Sequence, residues 1–190
     1  RRCRRGRPRS RRKFRNRLSD RQPPTKLPTG RGLTTLQVLP NLLRDLFADY
    51  NSVGITHVCD RDASPEEVEV YAALRRLGPP TVRVSVSRHV DSVGPLDGVK
   101  AAIQRIAEDP LFLKGDDWLR VIGIKTYLDG GMLTGSAYMS QPWGVSRIYS
   151  ITDPNYRGVL QIPPDRLRSI VQTTIESGLQ FTAHAVGDGA

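Results

Sequence analysis

Cysteine is nearly missing from this 190-residue chain: only Cys3 and Cys59 occur, far apart and in no C-x-x-C spacing. Neither a disulfide framework nor a zinc knuckle is indicated, and a reducing compartment, the cytoplasm, is the default expectation. No apolar run reaches the roughly 18 residues that span a bilayer, and the Arg-rich start lacks the apolar stretch of a secretory signal. A soluble protein with no membrane partner is expected. No G-x-G-x-x-G opens a helix, which counts against a dinucleotide-binding sheet. The first residue is Arg1 rather than methionine, and Gly189-Ala190 follow an apolar strand-like run with no tail, so both ends are expected to be cuts in a longer protein.

Acidic residues are scarce only at the start. Residues 1 to 32 hold 14 of the 29 Lys and Arg and one acid, Asp20, a net +13, whereas residues 33 to 190 hold 15 bases and 18 acids, a net −3. The overall charge of +10 therefore describes the first segment and not the globular part. Residues 1–29 are Arg, Pro and Ser with little apolar content, which cannot offset the entropy of ordering, so this basic segment is expected to be disordered. It reads as a solvated arm or a stray fragment end. A nucleic-acid-binding arm is the alternative, although no aromatic interleaving accompanies the charge.

From residue 30 to 190 the periodicity of a folded domain takes over. Leu36, Leu39, Leu42, Leu43, Leu46, Phe47 and Tyr50 fall at helical spacing, and residues 54–60 (GITHVCD) read as a short buried strand. Ser64-Pro65-Glu66-Glu67 combines a capping serine, a proline at the first helical position and a glutamate three past the cap. Val68, Tyr71, Leu74 and Leu77 form the stripe behind it, and Gly78 stops it. Residues 81–87 alternate as a second strand, and Val99, Ile103 and Ile106 mark a helix. Residues 118–127 (WLRVIGIKTY) make a third strand. After a Gly-containing stretch from Asp129 to Ile162, Pro163-Pro164 opens a helix carrying Leu167, Ile170, Val171 and Ile175, closed by Ser177-Gly178. Residues 179–184 (LQFTAH) make a fourth strand.

Strands alternating with helices point to parallel β/α units, and the right-handed crossover rule leaves a barrel or a doubly wound sheet. The expected fold is α/β, a partial (β/α)8 TIM-type barrel of about four β/α units, since a complete barrel takes about 250 residues. The loop after the third strand is long enough to fold over a site.

Working side chains in such folds sit at the C-terminal ends of strands, here Asp60, Arg88-His89, Lys125 and His184. Asp60 reads most simply as a helix cap and His89 as a solvated loop residue. Lys125 lies inside the apolar run 121–127, where an unpaired ammonium is costly. Three uses remain open: an ion pair with Asp129, a Schiff-base nucleophile, or a carbamate binding metal through oxygen. His184 ends an apolar strand and taken alone is a core histidine as readily as a ligand.

IKTYLDGG (124–131), continuing as MLTGSAYMSQPWG (132–144), and GLQFTAHAVGDGA (178–190) resemble the amidohydrolase superfamily, in particular amidohydrolase family 3, the YtcJ-like branch of metal-dependent hydrolases. PTGRGL (28–33) and GITHVCD (54–60) are weaker signposts of the same branch. The resemblance implies a barrel with one or two divalent ions, usually zinc. A His-x-His pair lies on the family's first strand, an often carboxylated lysine on the fourth, histidines on the fifth and sixth, and an aspartate acting as general base on the eighth. By position Lys125 matches the lysine and His184 the fifth-strand ligand. No His-x-His occurs in the chain and the general base has no counterpart, so those residues are expected outside this fragment.

Asp129 and Asp188 each follow a candidate ligand by four residues. They could orient ligands or substrate, or serve as loop or cap aspartates. Gly130, Gly131 and Gly135 would let the loop backbone approach a substrate, although turn formation alone also accounts for them.

The expected function is hydrolysis of a carbon–nitrogen bond, amide-type but not peptide, in a small molecule by metal-activated water, with the 190-residue fragment inactive by itself. The alternatives are a Schiff-base lyase using Lys125 and a nucleic-acid-binding protein using the Arg-rich arm. Nucleic acid is not the expected partner, and substrate identity and oligomeric state are not legible.

Overall fold

The computed structural model describes residues 35–190, with side chains from Val38 onward. The basic stretch 1–29 and the PTGRGL signpost lie outside the described residues.

The first helix, α1 (Thr35–Ser52), turns one stripe inward: Phe47 is buried, and Leu43 and Tyr50 pack against the core. Leu42 and Leu46, counted in that stripe from sequence, are exposed. The next helix, α2 (Pro65–Leu77), starts as its sequence predicts. Ser64 Oγ accepts from the Glu67 amide at 3.2 Å, and Glu67 Oε2 accepts from the Ser64 amide at 2.7 Å, so two orphan donors of the helix start are satisfied. Val68 and Leu74 are buried, whereas Leu77 at the C-terminal end is exposed. The remaining helices are α3 (Leu96–Ala107), the single turn α4 (Pro110–Leu113) and α5 (Pro164–Glu176).

Four strands, β1 (His57–Ala63), β2 (Arg83–His89), β3 (Leu119–Tyr127) and β4 (Gln180–His184), form one parallel sheet in the order 1-2-3-4. Each strand therefore lies beside its predecessor and the order never reverses. Right-handed crossovers in a constant direction put every helix on the same face, which is barrel winding and not the double winding of an open nucleotide-binding sheet. The result is a half-barrel sheet with helices outside, as the alternation of elements predicts.

The strand expected at Gly54–Asp60 is shifted. Gly54 adopts φ 85° in the turn after α1, and pairing begins only at His57. Nor is β1 fully buried: His57, Cys59 and Arg61 are exposed, because this strand is an edge of the described sheet and the face away from the helices is open.

Between helices and sheet lies one apolar core, with Ile103 from α3, Ile170 from α5, Leu119, Val121 and Ile124 from β3 and Val86 from β2 all at most 2% exposed. Each such side chain contributes about 1.5–3 kcal/mol by leaving water. The helices take one face of the sheet, and the strand residues that alternate with the core set stand on the other. That second face carries the candidate site.

Candidate metal centre

Two bulges decide which residues reach the open face. Between Asp60 and Ala63 the chain of β1 advances three residues while β2 advances two, from Val86 to Arg88. Without the bulge, Asp60 and Asp62 would share a face. Instead Asp60 turns to the helices and accepts from the Tyr71 hydroxyl of α2 at 2.9 Å, while Asp62 turns to the open face. A second bulge, at Ile122 in β3, moves the inward set from Leu119 and Val121 to Ile124, and so turns Lys125 and Tyr127 to the open face.

Across that face the strands are in register. Lys125 lies beside His89 of β2 and Thr182 of β4, and Tyr127 lies beside His184. Lys125 is only 8% exposed, and its Nζ sits 4.4 Å from the centroid of the Tyr127 ring. The same ring lies 5.0 Å from the His184 ring and 6.1 Å from that of His89. Its hydroxyl donates to Asp62 Oδ2, and Asp62 Oδ1 is 2.9 Å from His89 Nδ1. Tyr127 thus touches both sequence-predicted ligands and links them to Asp62 and His89.

The electrostatics follow from these contacts. Burial pushes the Asp62 carboxyl up, but hydrogen bonds from Tyr127 and His89, and the charges of His89 and Lys125, outweigh it and hold the group below the usual carboxylate value. The Tyr127 phenol is raised, first by its bond to Asp62, then by burial and the carboxylate charge.

His184 Nε2 stands 3.3 Å from the Gly130 carbonyl. When that nitrogen carries the proton and donates, Nδ1 keeps its lone pair, the state a metal-binding imidazole needs. The chemistry of His184 and Lys125 therefore fits two ligand positions. Among the described residues no group of three or more His, Cys, Asp and Glu could hold an ion. A tetrahedral ion takes at least three protein ligands, so Lys125 and His184 would hold one only together with further donors.

Several expectations are corrected by the geometry. The Lys125–Asp129 ion pair does not form, because Asp129 is spent elsewhere. Fully buried, it accepts from the amides of Tyr138 at 2.9 Å, Val186 at 3.0 Å and Gly187 at 2.7 Å. Burial raises this carboxyl, but the three amides and the His184 charge together lower it. Asp129 is thus the clasp between the long loop and the segment after β4. Asp188 is exposed and accepts from the Ser140 amide at 2.7 Å and from the Ser140 hydroxyl, fastening the same two segments further out. Asp60 is not a cap, since Ser64 caps α2. His89 is not a free loop residue but the last residue of β2, engaged with Asp62.

The loop glycines serve the loop's own packing. A Cβ on Gly130 would stand 2.1 Å from Ser136 Oγ, and one on Gly135, at φ 67°, would stand 2.6 Å from Tyr149 Cβ. A Cβ on Gly131 would lie 3.3 Å from Thr134 Oγ1. Within the loop, Trp143 Nε1 donates to the Ala137 carbonyl at 2.8 Å, and Arg157 donates to the Met139 carbonyl at 2.8 Å.

Asp62 and Tyr127 were not singled out from sequence. Tyr127 had a signal, because it lies two residues past Lys125 and period 2 puts both on one face. Asp62 had none, since only the bulge brings it there.

With this geometry in view, a model of the amidohydrolase family matches residues 15–190. The chain belongs to the amidohydrolase family. Among relatives of this chain, Protein LONG AFTER FAR-RED 3 of Arabidopsis thaliana is 31% identical over 74 residues, which is 39% of this chain and 12% of the plant protein. Two solved structures share the fold: metal-dependent hydrolases from Pyrococcus furiosus (TM-score 0.62, 18% identity, 83% of this chain and 30% of that one) and Pyrococcus horikoshii OT3 (TM-score 0.59, 18% identity, 82% and 29%). The chain therefore spans less than a third of the length of each of these relatives. No helix among its described residues is long and apolar enough to cross a membrane.

Proposed function

We propose that this chain is part of a metal-dependent hydrolase that cleaves a carbon–nitrogen bond, amide-type but not peptide, in a small molecule, with Lys125 and His184 as two ligands of a divalent ion, zinc by preference. The supporting observation is their common setting. Both stand on the open face of adjacent parallel strands, within one pleat of each other, and share the Tyr127 ring. When bound, such an ion makes water nucleophilic at neutral pH and polarises a carbonyl. His184 offers Nδ1 when its Nε2 is bonded to Gly130. Lys125 offers its amine, or a carbamate oxygen once carboxylated. The remaining ligands and the general base belong to barrel elements beyond these four strands. The loop 129–162, clasped by Asp129 and Asp188, is fitted to line the substrate side, and a small molecule is the partner, in a cytoplasmic setting.

The test has two arms. The isolated 190-residue polypeptide is expected to bind Zn2+ weakly and to turn over no amide, whereas in the complete enzyme Lys125→Ala and His184→Ala are each expected to lower metal content, read by elemental analysis, together with kcat. Tight stoichiometric zinc with amidase turnover in the isolated chain would sink the incomplete-site reading. Borohydride trapping of a carbonyl substrate on Lys125 without metal dependence would replace hydrolysis by lyase chemistry.

A further inference from the structure

The cluster Asp62–His89–Tyr127 lies outside the two ligands just assigned, and its three residues come from three different strands. Tyr127 is its centre. The hydroxyl is tied to Asp62, 65 positions earlier in the chain, and the ring meets Lys125 Nζ at 4.4 Å and the His184 ring at 5.0 Å. Asp62 is itself held from its other oxygen by His89 Nδ1 at 2.9 Å. A tyrosine with a free hydroxyl would keep two soft χ angles, and its ring could swing with solvent. Tied at the para position to a carboxylate that is tied in turn to the next strand, the ring becomes a fixed wall.

We infer that Tyr127 is a positioning residue of the metal centre: tethered through its hydroxyl to Asp62, it holds the Lys125 side chain and the His184 ring in the orientation in which both can face one ion. The inference rests on the proposed roles of Lys125 and His184. Three features carry it. The ring packs against the end of the Lys125 side chain, 4.4 Å from Nζ, which limits where the lysine head lies whether it is an amine or a carbamate. The His184 ring is contacted from one side by Tyr127 and bonded at Nε2 to the Gly130 carbonyl, so its plane is restrained at two places. Finally, Asp62 reaches the open face only through a bulge that displaces the alternation of β1 by one residue. Groups behind metal ligands that fix their orientation typically change metal affinity by about 10–100-fold when removed.

The experiment is a double-mutant cycle in the complete enzyme, with Zn2+ affinity measured by chelator competition. Tyr127→Phe keeps the ring and removes the tether; Asp62→Ala removes the tether from the other end. Each is expected to weaken Zn2+ binding by about tenfold, and the double variant to be no weaker than either single one, because both break the same link. Tyr127→Leu, which removes the ring too, is expected to fall further. A second readout needs no metal: in the zinc-free protein, acetylation of Lys125 by acetic anhydride, followed by mass spectrometry, is expected to change in rate in Tyr127→Phe and Asp62→Ala alike. Circular dichroism checks that each variant is folded; should Tyr127→Leu fail to fold, the Phe and Ala variants still decide.

Wild-type zinc affinity in Tyr127→Phe, or fully additive losses in the double variant, overturns the inference while leaving the ligand assignment intact if Lys125→Ala and His184→Ala still lose zinc. If those two variants also bind zinc as the wild type does, the proposed function falls with it.

Discussion

The Asp129 carboxylate and the Gly187 amide meet at 2.7 Å across 58 positions of sequence. Val186 and Tyr138 donate to the same carboxylate, so one buried side chain joins the end of β3, the long loop and the segment following β4. Replacing it tests that clasp. Asp129→Ala leaves three amides without their acceptor, at about 1–3 kcal/mol for each one that stays buried. A loss of at least about 3 kcal/mol is expected, read as a lower urea midpoint. Asp129→Asn keeps one acceptor oxygen and should lose less. Hydrogen exchange should show the Tyr138, Val186 and Gly187 amides losing protection first.

The same group sets a pH dependence. Its folded-state pKa lies below the unfolded value, since the amide bonds and the His184 charge outweigh burial. Folding therefore gains stability from Asp129 at pH values above the unfolded carboxylate pKa of about 3.9 and loses it as pH falls through the lower folded value. Urea midpoints measured between pH 6 and pH 2 should drop through this acid range, and the part of the drop due to Asp129 should be missing in Asp129→Asn. An identical acid profile in that variant would refute the assignment.

Gly123 marks a place where β3 and β4 leave no room. A Cβ there would stand 2.2 Å from the Gln180 carbonyl oxygen, and that atom is backbone. Gly123→Ala should cost about 1–3 kcal/mol, as overpacked sites do, because the strands must part. By moving β4 against β3 it should also displace His184 relative to Lys125, so if the two are ligands as proposed, a weaker metal affinity should accompany the lower urea midpoint.

Ile103 tests the helix layer. It is fully buried where α3 meets the core, and Ile103→Ala should cost about 2–5 kcal/mol. The capping serine of α2 offers a smaller contrast: Ser64→Ala removes the acceptor for the Glu67 amide and should cost about 1 kcal/mol. Thermal unfolding of the two variants should rank them in that order.

Much of the helical layer was legible in the sequence, because its signals act over a few residues. The Ser64 to Glu67 box, Pro65 and Gly78 delimit α2 within a residue, and the spacing of Val99, Ile103 and Ile106 marks the buried side of α3. Strand β1 was misplaced because residues 54–60 (GITHVCD) read locally as a short buried strand, whereas pairing with β2 starts only at His57. An edge strand gains its hydrogen bonds from a neighbour 26 residues away, and local composition does not report that register.

By itself the sequence determined the alternation of parallel strands and helices, the approximate strand ends, and the family motifs that carry Lys125 and His184. All of these depend on short-range periodicity, capping and the cost of placing a charged or polar group in an apolar run. Tertiary structure alone decided what surrounds those two residues. One extra residue in β1 turned Asp62 toward Tyr127, and packing of the long loop against the segment after β4 took Asp129 away from Lys125. The physical reason is the same in each case: a side chain of period 2 changes face with a single bulge, and a buried carboxylate settles on whichever donors the fold brings within about 3 Å, however distant they are along the chain.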